Sequence, residues 1–249
     1  MTVDERQLLE EKYGGARTPE FVEDCKRLAL GEPLAYVIGW QPFLDLKIYL
    51  DSRPLIPRSE TEWWVEKMLA HVRTSDVPRT SDVPTFLDLC AGSGAIGCAA
   101  LKILPYMRVF FSELDVAHEA TILKNIRKNG LDESRSVIGI GDLFKPFGDM
   151  QFDIIAANPP YVPAGRKLPK SVAQYEPFLA LTAGKDGLDV IRRIASELPR
   201  RLKRGGAAWI ECDSEHAEAA RELFEKQGLA AEIRTDQYNK PRVIVISFP

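Results

Sequence analysis

The stretch TFLDLCAGSGAIG, from Thr85 to Gly97, decides the fold. Its first half is apolar and β-rich, its middle is a glycine loop, and its end begins a run of helical periodicity. A buried strand that turns tightly into a helix is the repeating unit of a parallel sheet with helices on both faces. The stretch therefore predicts an α/β fold.

The same alternation continues to the C-terminus. Helical patterns over 95–103, 117–129, 187–203 and 214–226 separate the β-rich runs MRVFFSE, SVIGI, FDIIAAN, AAWIEC, AEIRT and RVIVISF. The last two runs are joined only by TDQYNKP, which excludes a crossover helix and permits an antiparallel pair. We therefore predict a doubly wound, mostly parallel sheet that ends in an antiparallel hairpin, the usual shape of class I S-adenosylmethionine-dependent methyltransferases.

The glycine loop predicts a cofactor site. Gly92, Gly94 and Gly97 fit the G-x-G-x-x-G pattern, which lets a ligand approach the backbone at a helix N-terminus. Glu113 ends the next strand about 20 residues on, where a ribose-binding acid is expected. Asp88 would face a pyrophosphate badly but suits a cationic amine or sulfonium. The loop thus favours S-adenosylmethionine over a nicotinamide dinucleotide, and a plain glycine turn is the alternative without a ligand.

A second candidate cofactor segment is GDLF, Gly141 to Phe144, after the next β-rich run. Asp142 is a candidate acceptor for an adenine amino group. Leu143 or Phe144 is a candidate to pack on the adenine ring. A simple turn explains these residues equally well.

Asn158-Pro159-Pro160-Tyr161 ends the following strand, at the edge that faces the ligand crevice in open α/β sheets. Prolines have no N–H, so the loop offers carbonyl acceptors from Asn158 and Pro159 with few competing donors. Such a pocket suits an –NH2 group held by both hydrogens, as the methylation of an amide or exocyclic amine requires. We predict that Asn158, Pro159 and Tyr161 are catalytic, that all four residues bind substrate, and that Tyr161 packs on its planar group. A strand stop followed by a proline turn is the alternative.

The residues before Thr85 show a different organisation. Helical patterns cover 4–13, 19–30 and 59–72, the last with Ser59 and Glu62 at capping-box spacing, and LKIYLDSRPLI is typical of extended chain. TSDVPRTSDVP, residues 74–84, duplicates a pentapeptide and is predicted to be a tolerated loop insertion. We divide the chain into a reduced N-terminal helical segment (1–35), a linker with a β-hairpin (36–58) and a methyltransferase domain (59–249).

Composition argues against several other classes of protein. The 249 residues are 45% hydrophobic and 28% charged, without the roughly 20-residue apolar run of a membrane helix or a signal-peptide pattern. The formal net charge of −3 argues against a nucleic-acid partner. The four cysteines form no Cys-x-x-Cys pair and the three histidines are isolated, so no metal site is expected. We expect a cytoplasmic monomer that binds no membrane.

Several segments together resemble the PrmC/HemK family, the N5-glutamine methyltransferases of peptide-chain release factors. LIPRSETE is similar to the family's Leu-Ile-Pro-Arg-Pro-Glu-Thr-Glu, DLCAGSGAIG to its Asp-x-x-Thr-Gly-Ser-Gly loop, FDIIAANPPYVP to its substrate motif and YEPFLAL to its Tyr-Glu-Pro segment. Asn-Pro-Pro-Tyr also occurs in DNA adenine-N6 methyltransferases, whereas the first and last of these segments are more specific. The likeness runs from about Arg27 to the C-terminus.

The resemblance implies methyl transfer from S-adenosylmethionine, leaving S-adenosylhomocysteine, to the glutamine amide in the Gly-Gly-Gln loop of a release factor, in support of translation termination. It implies that residues 158–161 bind this glutamine. It also implies cofactor contacts from Cys90, Ala91, Gly92, Ser93, Gly94, Glu113, Leu143 and Asn158. The arguments above add Asp88 and Asp142 to the expected cofactor site.

The chain departs from the family pattern at several positions, which are Ser59, Ala91, Thr182, Ala183 and Asp213. Glu113 replaces the usual aspartate, which preserves the ribose-binding role. The family usually has a larger N-terminal helical domain than the segment that fits before Gly31. Two alternatives therefore stay open. One is a methyltransferase that acts on a ribosomal-protein glutamine or a DNA adenine, and the other is a non-catalytic module that binds cofactor or release factor.

Overall fold

The computed structural model describes residues 1–74 and 83–249. The first elements are α1 Val3–Tyr13, α2 Pro19–Ala29, α3 Leu34–Ile38, β1 Trp40–Phe43, β2 Leu46–Tyr49 and α4 Ser59–Thr74. Thr2 caps α1 in a capping box with Glu5, and Thr18 caps α2 just before Pro19. The first three helices share a small core of Leu8, Leu9, Phe21, Val37 and Ile38.

The main sheet follows. Its strands are β3 Thr85–Leu89, β4 Arg108–Glu113, β5 Ser136–Ile140, β6 Phe152–Ala157, β7 Leu202–Glu211, β8 Ala230–Thr235 and β9 Pro241–Ser247. Their order across the sheet is β5-β4-β3-β6-β7-β9-β8. The first five in this order run parallel, and β9 is antiparallel to both of its neighbours. The strand order reverses between β3 and β6, the position where open α/β sheets bind ligands.

Helices cover both faces of the sheet. They are α5 Ala95–Ile103, α6 Glu119–Lys128, α7 Lys170–Tyr175, α8 Phe178–Leu181, α9 Asp189–Arg201 and α10 Ala217–Glu225. On one face, α4, α5, α6 and the β1–β2 hairpin share a core, and on the other α9 and α10 pack on the sheet. The α9 residues that face this second core have the spacing of one helical stripe: Ile191, Ile194, Ala195 and Leu198.

The predicted doubly wound sheet and its terminal antiparallel pair are confirmed. The short helices α3, α7 and α8 are not predicted from the sequence, and the hairpin predicted within residues 36–58 is not assigned a strand at the position of β1. The predicted capping box of α4 is wrong, because Ser59 is already helical and the Glu62 carboxylate accepts a hydrogen bond from the Leu44 N–H at 2.7 Å instead. The predicted insertion at 74–84 lies mostly outside the described residues.

The division into residues 1–35, 36–58 and 59–249 remains a prediction. Its first boundary falls inside α3, and the β1–β2 hairpin shares the core of α4 and α5. Every helix within residues 1–74 and 83–249 is too short or too polar to span a bilayer.

Candidate active site

A cavity of about 410 Å³ lies at the carboxyl ends of the central parallel strands. Its wall includes Cys90 and Gly92 after β3, Glu113 at the end of β4, Asp142 after β5 and Asn158 after β6. The volume is typical of small-molecule sites, and the position is the one where the strand order reverses. Residues that the sequence predicts from four separate segments therefore meet in one cavity.

Glu113 holds the glycine loop in place. Its Oε2 accepts a hydrogen bond from the Gly92 N–H at 2.7 Å, and its Oε1 accepts one from the Asp115 N–H at 2.8 Å. Gly92 and Gly94 have φ values of 54° and 75°, in the left-handed region that favours glycine. The carboxylate thus joins the loop after β3 to the loop after β4, at the edge of the cavity.

The third glycine of the pattern serves packing. A Cβ atom on Gly97 would lie 2.2 Å from the ring of the buried Phe111, so only glycine lets α5 lie this close to β4. Cys90 and Gly92 line the cavity, and the other predicted loop contacts, Ala91, Ser93 and Gly94, are not part of its wall. Cofactor contacts from those three residues remain predictions.

Asp88 lies beneath the loop. It is 1% exposed, and its Oδ2 accepts a hydrogen bond from the Gly97 N–H at 2.8 Å at the start of α5. Its Oδ1 is buried and has no hydrogen-bond partner in the described part of the chain. Burial, aided by the nearby Glu113 charge, raises the pKa of Asp88 well above its usual range. The cavity wall does not include Asp88, so its predicted contact with a cationic cofactor group remains a prediction.

Asp142 is held by two cations. Its Oδ1 and Oδ2 lie 2.7 Å and 2.6 Å from Arg193 Nη2, and Lys145 Nζ lies 2.9 Å from Oδ2. Hydrogen bonds from Arg193 and Lys145 lower the pKa of Asp142, so it is an ionised acceptor in the cavity wall. Leu143 follows with φ of 50° and also lines the cavity. Sequence analysis missed Arg193, which lies on a distant helix.

The Asn-Pro-Pro-Tyr loop presents only part of itself to the cavity. Asn158 and Pro160 line the cavity, whereas Pro159 is buried and the Tyr161 side chain is directed to Glu211. The Tyr161 hydroxyl donates a hydrogen bond to Glu211 Oε1 at 2.9 Å. Burial raises the pKa of Tyr161 well above its usual range, so the phenol stays a donor. Packing of its ring on substrate remains a prediction.

Glu211, at the end of β7, is the centre of a buried group that sequence analysis missed. We name Glu211, Thr61, Trp64 and Tyr161 the Glu211 cluster. The Thr61 hydroxyl and the Trp64 indole N–H each donate to Glu211 Oε2 at 2.7 Å. Thr61 Oγ1 in turn accepts a hydrogen bond from Asn158 Nδ2 at 3.1 Å. Burial raises the pKa of Glu211, and the three donors oppose this shift.

An ion pair joins the two motifs that made the family resemblance specific. Arg58 of the Arg-x-Glu-Thr-Glu segment lies 2.5 Å from Glu176 of the Tyr-Glu-Pro segment. The Glu176 side chain is 1% exposed, and its second oxygen accepts a hydrogen bond from the Ile56 N–H at 3.1 Å. This contact fixes the segment Pro177–Ala180, which lines the cavity, against the chain that enters α4.

Glu176→Ala is expected to lower the free energy of unfolding by about 2–4 kcal/mol, because it leaves the Arg58 guanidinium and the Ile56 N–H without their acceptor. Urea denaturation without cofactor measures the change. The control is Lys226→Ala, which removes an exposed ion pair with Glu222 and is expected to cost at most about 0.5 kcal/mol. Equal unfolding midpoints for the two variants would contradict the structural role of Glu176.

The structure shows the contacts of three residues that depart from the family pattern: Thr182, Ala183 and Asp213. Thr182 lines the cavity and is paired with Val162 after the Asn-Pro-Pro-Tyr loop. Ala183 is buried, and its N–H donates to the Val162 carbonyl at 3.0 Å. Asp213 forms an ion pair with Arg166 and accepts a hydrogen bond from the Glu215 N–H at 2.9 Å. Of the three, Thr182 is part of the cavity wall, and Thr182 and Ala183 hold the chain that follows the Asn-Pro-Pro-Tyr loop.

The chain is similar to several known proteins. The model of the methyltransferase small domain matches residues 69–175. A release factor glutamine methyltransferase of Geobacter sulfurreducens is 35% identical over 84% of this chain and 72% of its own length. This chain belongs to the family of release factor glutamine methyltransferases. Another member, from Lactococcus lactis, is 32% identical to this chain over 96% of the chain and 86% of its own length.

Solved structures agree on the fold. A methyltransferase from Pyrococcus furiosus has a TM-score of 0.56 at 15% identity, over 90% of this chain and 96% of its own. A 16S rRNA methyltransferase from T. thermophilus, in complex with AdoMet and guanosine, has a TM-score of 0.58 at 17% identity, over 84% of this chain and 50% of its own. The fold is that of class I methyltransferases.

As a release factor glutamine methyltransferase, the chain is an enzyme that uses S-adenosylmethionine. The cavity suits this cofactor. The carboxylates of Glu113, Asp115 and Asp142 match its positive charge, and Leu143 and Val190 supply apolar wall for an adenosyl group. The residues that would hold it are therefore present at the predicted edge of the sheet.

Proposed function

We propose that this enzyme methylates the side-chain amide nitrogen of the glutamine in the Gly-Gly-Gln loop of a peptide-chain release factor. S-adenosylmethionine supplies the methyl group and leaves as S-adenosylhomocysteine. The proposal is carried by the position of Asn158. This residue lines the same cavity as Gly92 and Glu113, and its Nδ2 already donates a hydrogen bond to Thr61. The Asn158 oxygen is therefore available for a substrate amide next to the cofactor site.

The Asn-Pro-Pro-Tyr loop would activate the amide by positioning it. An amide nitrogen is a poor nucleophile because its lone pair is delocalised into the carbonyl group. Asn158 Oδ1 in the cavity wall would accept one of its two hydrogens and help to aim the nitrogen lone pair. The Pro159 carbonyl is the acceptor that the sequence predicts for the other hydrogen; the Pro159 residue itself is buried beside the cavity wall. The methylated nitrogen is acidic enough to lose its extra proton to water, so no strong base is required. Positioning therefore supplies much of the rate.

Mass spectrometry of a release factor incubated with the enzyme and S-adenosylmethionine tests the proposal. The expected result is a gain of one methyl group on the Gly-Gly-Gln glutamine and on no other residue. Cofactor binding by calorimetry without methylation of any release factor would overturn it and support a binding module. Methylation of a ribosomal-protein glutamine or a DNA adenine, with none on the release factor, would show that the substrate is a different one from that proposed.

Exposed apolar residues at the cavity suggest where the release factor docks. Phe178 and Leu179 of α8 line the cavity, yet they are 71% and 69% exposed. Leu114 and Val116, after β4, are exposed on the adjacent loop. Exposed apolar patches of this kind mark protein-binding sites. We propose that the cytoplasmic enzyme binds its release factor as a monomer through this rim.

Phe178→Ser is expected to raise KM for the release factor about tenfold, because apolar anchors dominate binding energy at interfaces. Tyr238→Ser is the control, since Tyr238 is also exposed but lies in the turn between β8 and β9. Steady-state kinetics at saturating cofactor measure both variants. The same KM for Phe178→Ser, Tyr238→Ser and the unmodified enzyme would rule out the rim as the docking surface.

A further inference from the structure

We infer that Thr61 and Glu211 are positioning residues that set which way the Asn158 amide points during catalysis. The inference deepens the proposed function and rests on it. It assigns a role to a threonine at the start of α4 and to a glutamate at the end of β7, neither of which lines the cavity. Both act on substrate only through Asn158.

The Glu211 carboxylate accepts the hydroxyl proton of Thr61. Glu211 is 1% exposed, and three protein donors surround its carboxylate: Thr61 Oγ1, Trp64 Nε1 and Tyr161 Oη. An ionised carboxylate only accepts hydrogen bonds. Trp64 can only donate, and its bond to Oε2 marks that oxygen as an acceptor. Thr61 therefore has to direct its hydroxyl proton to Glu211.

The Thr61 hydroxyl fixes which end of the Asn158 amide faces it. A threonine hydroxyl has one proton, so Thr61 Oγ1, having donated it to Glu211, can only accept from Asn158. The group at 3.1 Å from Thr61 must then be the Asn158 NH2 and not its carbonyl oxygen. Oδ1 is the remaining polar atom of the amide, and no group in residues 1–74 or 83–249 donates a hydrogen bond to it. The chain Glu211–Thr61–Asn158 thus leaves an acceptor for the substrate NH2.

Thr61 and Glu211 are themselves held in place by the fold. Thr61 is 3% exposed, and Thr61 and Trp64 lie one turn apart on α4 and bond to the same Glu211 oxygen. Glu211 is fixed by the pairing of β7 with β9. Without the hydroxyl of Thr61, both orientations of the Asn158 amide become available, and one of them presents donors to the substrate NH2. That orientation does not support catalysis.

The test compares Thr61→Val with Thr61→Ser. Thr61→Val keeps the shape of the side chain and removes the hydroxyl, and it is expected to lower kcat by about 10²-fold. KM for the release factor and Kd for S-adenosylmethionine are expected to change less than about threefold. Thr61→Ser keeps the hydroxyl and is expected to restore kcat to within about threefold of the unmodified enzyme.

Thr85→Val is the matched control. The Thr85 hydroxyl also donates to a carboxylate, that of Asp153 at 2.8 Å, and accepts a hydrogen bond from the Asp153 N–H. Thr85 lies at the start of β3, at the opposite end of the strand from the cavity. Thr85→Val is expected to lose a comparable hydroxyl-to-carboxylate hydrogen bond, at a half-buried position, with kcat unchanged. Equal kcat losses in Thr61→Val and Thr85→Val would show a structural effect only and overturn the inference.

Glu211→Gln gives an independent readout. The variant replaces a carboxylate, which only accepts hydrogen bonds, by an amide that can also donate to Thr61. The Thr61 hydroxyl can then donate to Asn158 instead, so kcat is expected to fall while Kd for the cofactor stays unchanged. A folded Glu211→Gln or Thr61→Val variant with full kcat would overturn the inference and leave the proposed function standing. Failure of the unmodified enzyme to methylate a release factor would instead overturn the proposed function.

Discussion

Replacement of Asn158 by alanine is expected to lower kcat by about 10³-fold or more, close to the limit of detection. The variant loses the side-chain acceptor that would hold one hydrogen of the substrate amide, while the backbone of the loop remains. Most of the predicted cofactor wall, including Gly92, Glu113 and Leu143, is untouched. Kd for S-adenosylmethionine is therefore expected to stay within about fivefold of the unmodified enzyme.

Single-turnover methylation and calorimetry on the same preparation measure the two quantities. Asn158→Asp is the sharper comparison, because it keeps an oxygen at the cavity but cannot donate to Thr61, whose proton is committed to Glu211. We expect this nearly isosteric variant to lose most of its kcat as well. Turnover like that of the unmodified enzyme in Asn158→Ala would exclude the proposed mechanism.

The parts of the site that sequence analysis found are those with local signals. The glycine loop, Glu113 and Asn158 each follow a β-rich run, and the ends of parallel strands meet at one edge of a sheet. Glycine spacing, an acid after the next strand and two prolines are all visible within a few residues. Topology alone therefore brings these residues together.

The missed parts depend on contacts between distant segments. Thr61 and Glu211 are 150 positions apart, and Arg193 lies 51 positions after Asp142. A lone glutamate at the end of an apolar strand carries no local sign of its partners. The capping box at Ser59 failed for the same reason, because the Glu62 carboxylate is taken by the Leu44 N–H of the hairpin. Tertiary contacts here override patterns that are correct for an isolated helix.

The structure also gives a physical reason for the two motifs that made the resemblance specific. Arg58 forms an ion pair with the buried Glu176, and Thr61, from the same Arg-x-Glu-Thr-Glu segment, bonds to Asn158. The first segment thus supports the cavity wall and the substrate loop at once.

Glu113→Ala is expected to raise Kd for S-adenosylmethionine by about 10²- to 10³-fold. The Glu113 carboxylate accepts from the N–H groups of Gly92 and Asp115, and hydrogen bonds to a charged group contribute about 1.5–3 kcal/mol each. The variant leaves both N–H groups at the cavity edge without an acceptor and removes the predicted contact with the ribose hydroxyls. The loop after β3 then loses its connection to β4.

Two comparisons separate binding from folding. Glu113→Asp keeps the charge with a shorter side chain, and Kd is expected to rise less than about tenfold, since aspartate is the usual residue of the family. Glu119→Ala removes an exposed carboxylate at the start of α6, and Kd is expected to stay the same. Calorimetric titration of the folded variants measures all three. An unchanged Kd in Glu113→Ala would show that neither a ribose contact of Glu113 nor its hold on the loop after β3 contributes to cofactor affinity.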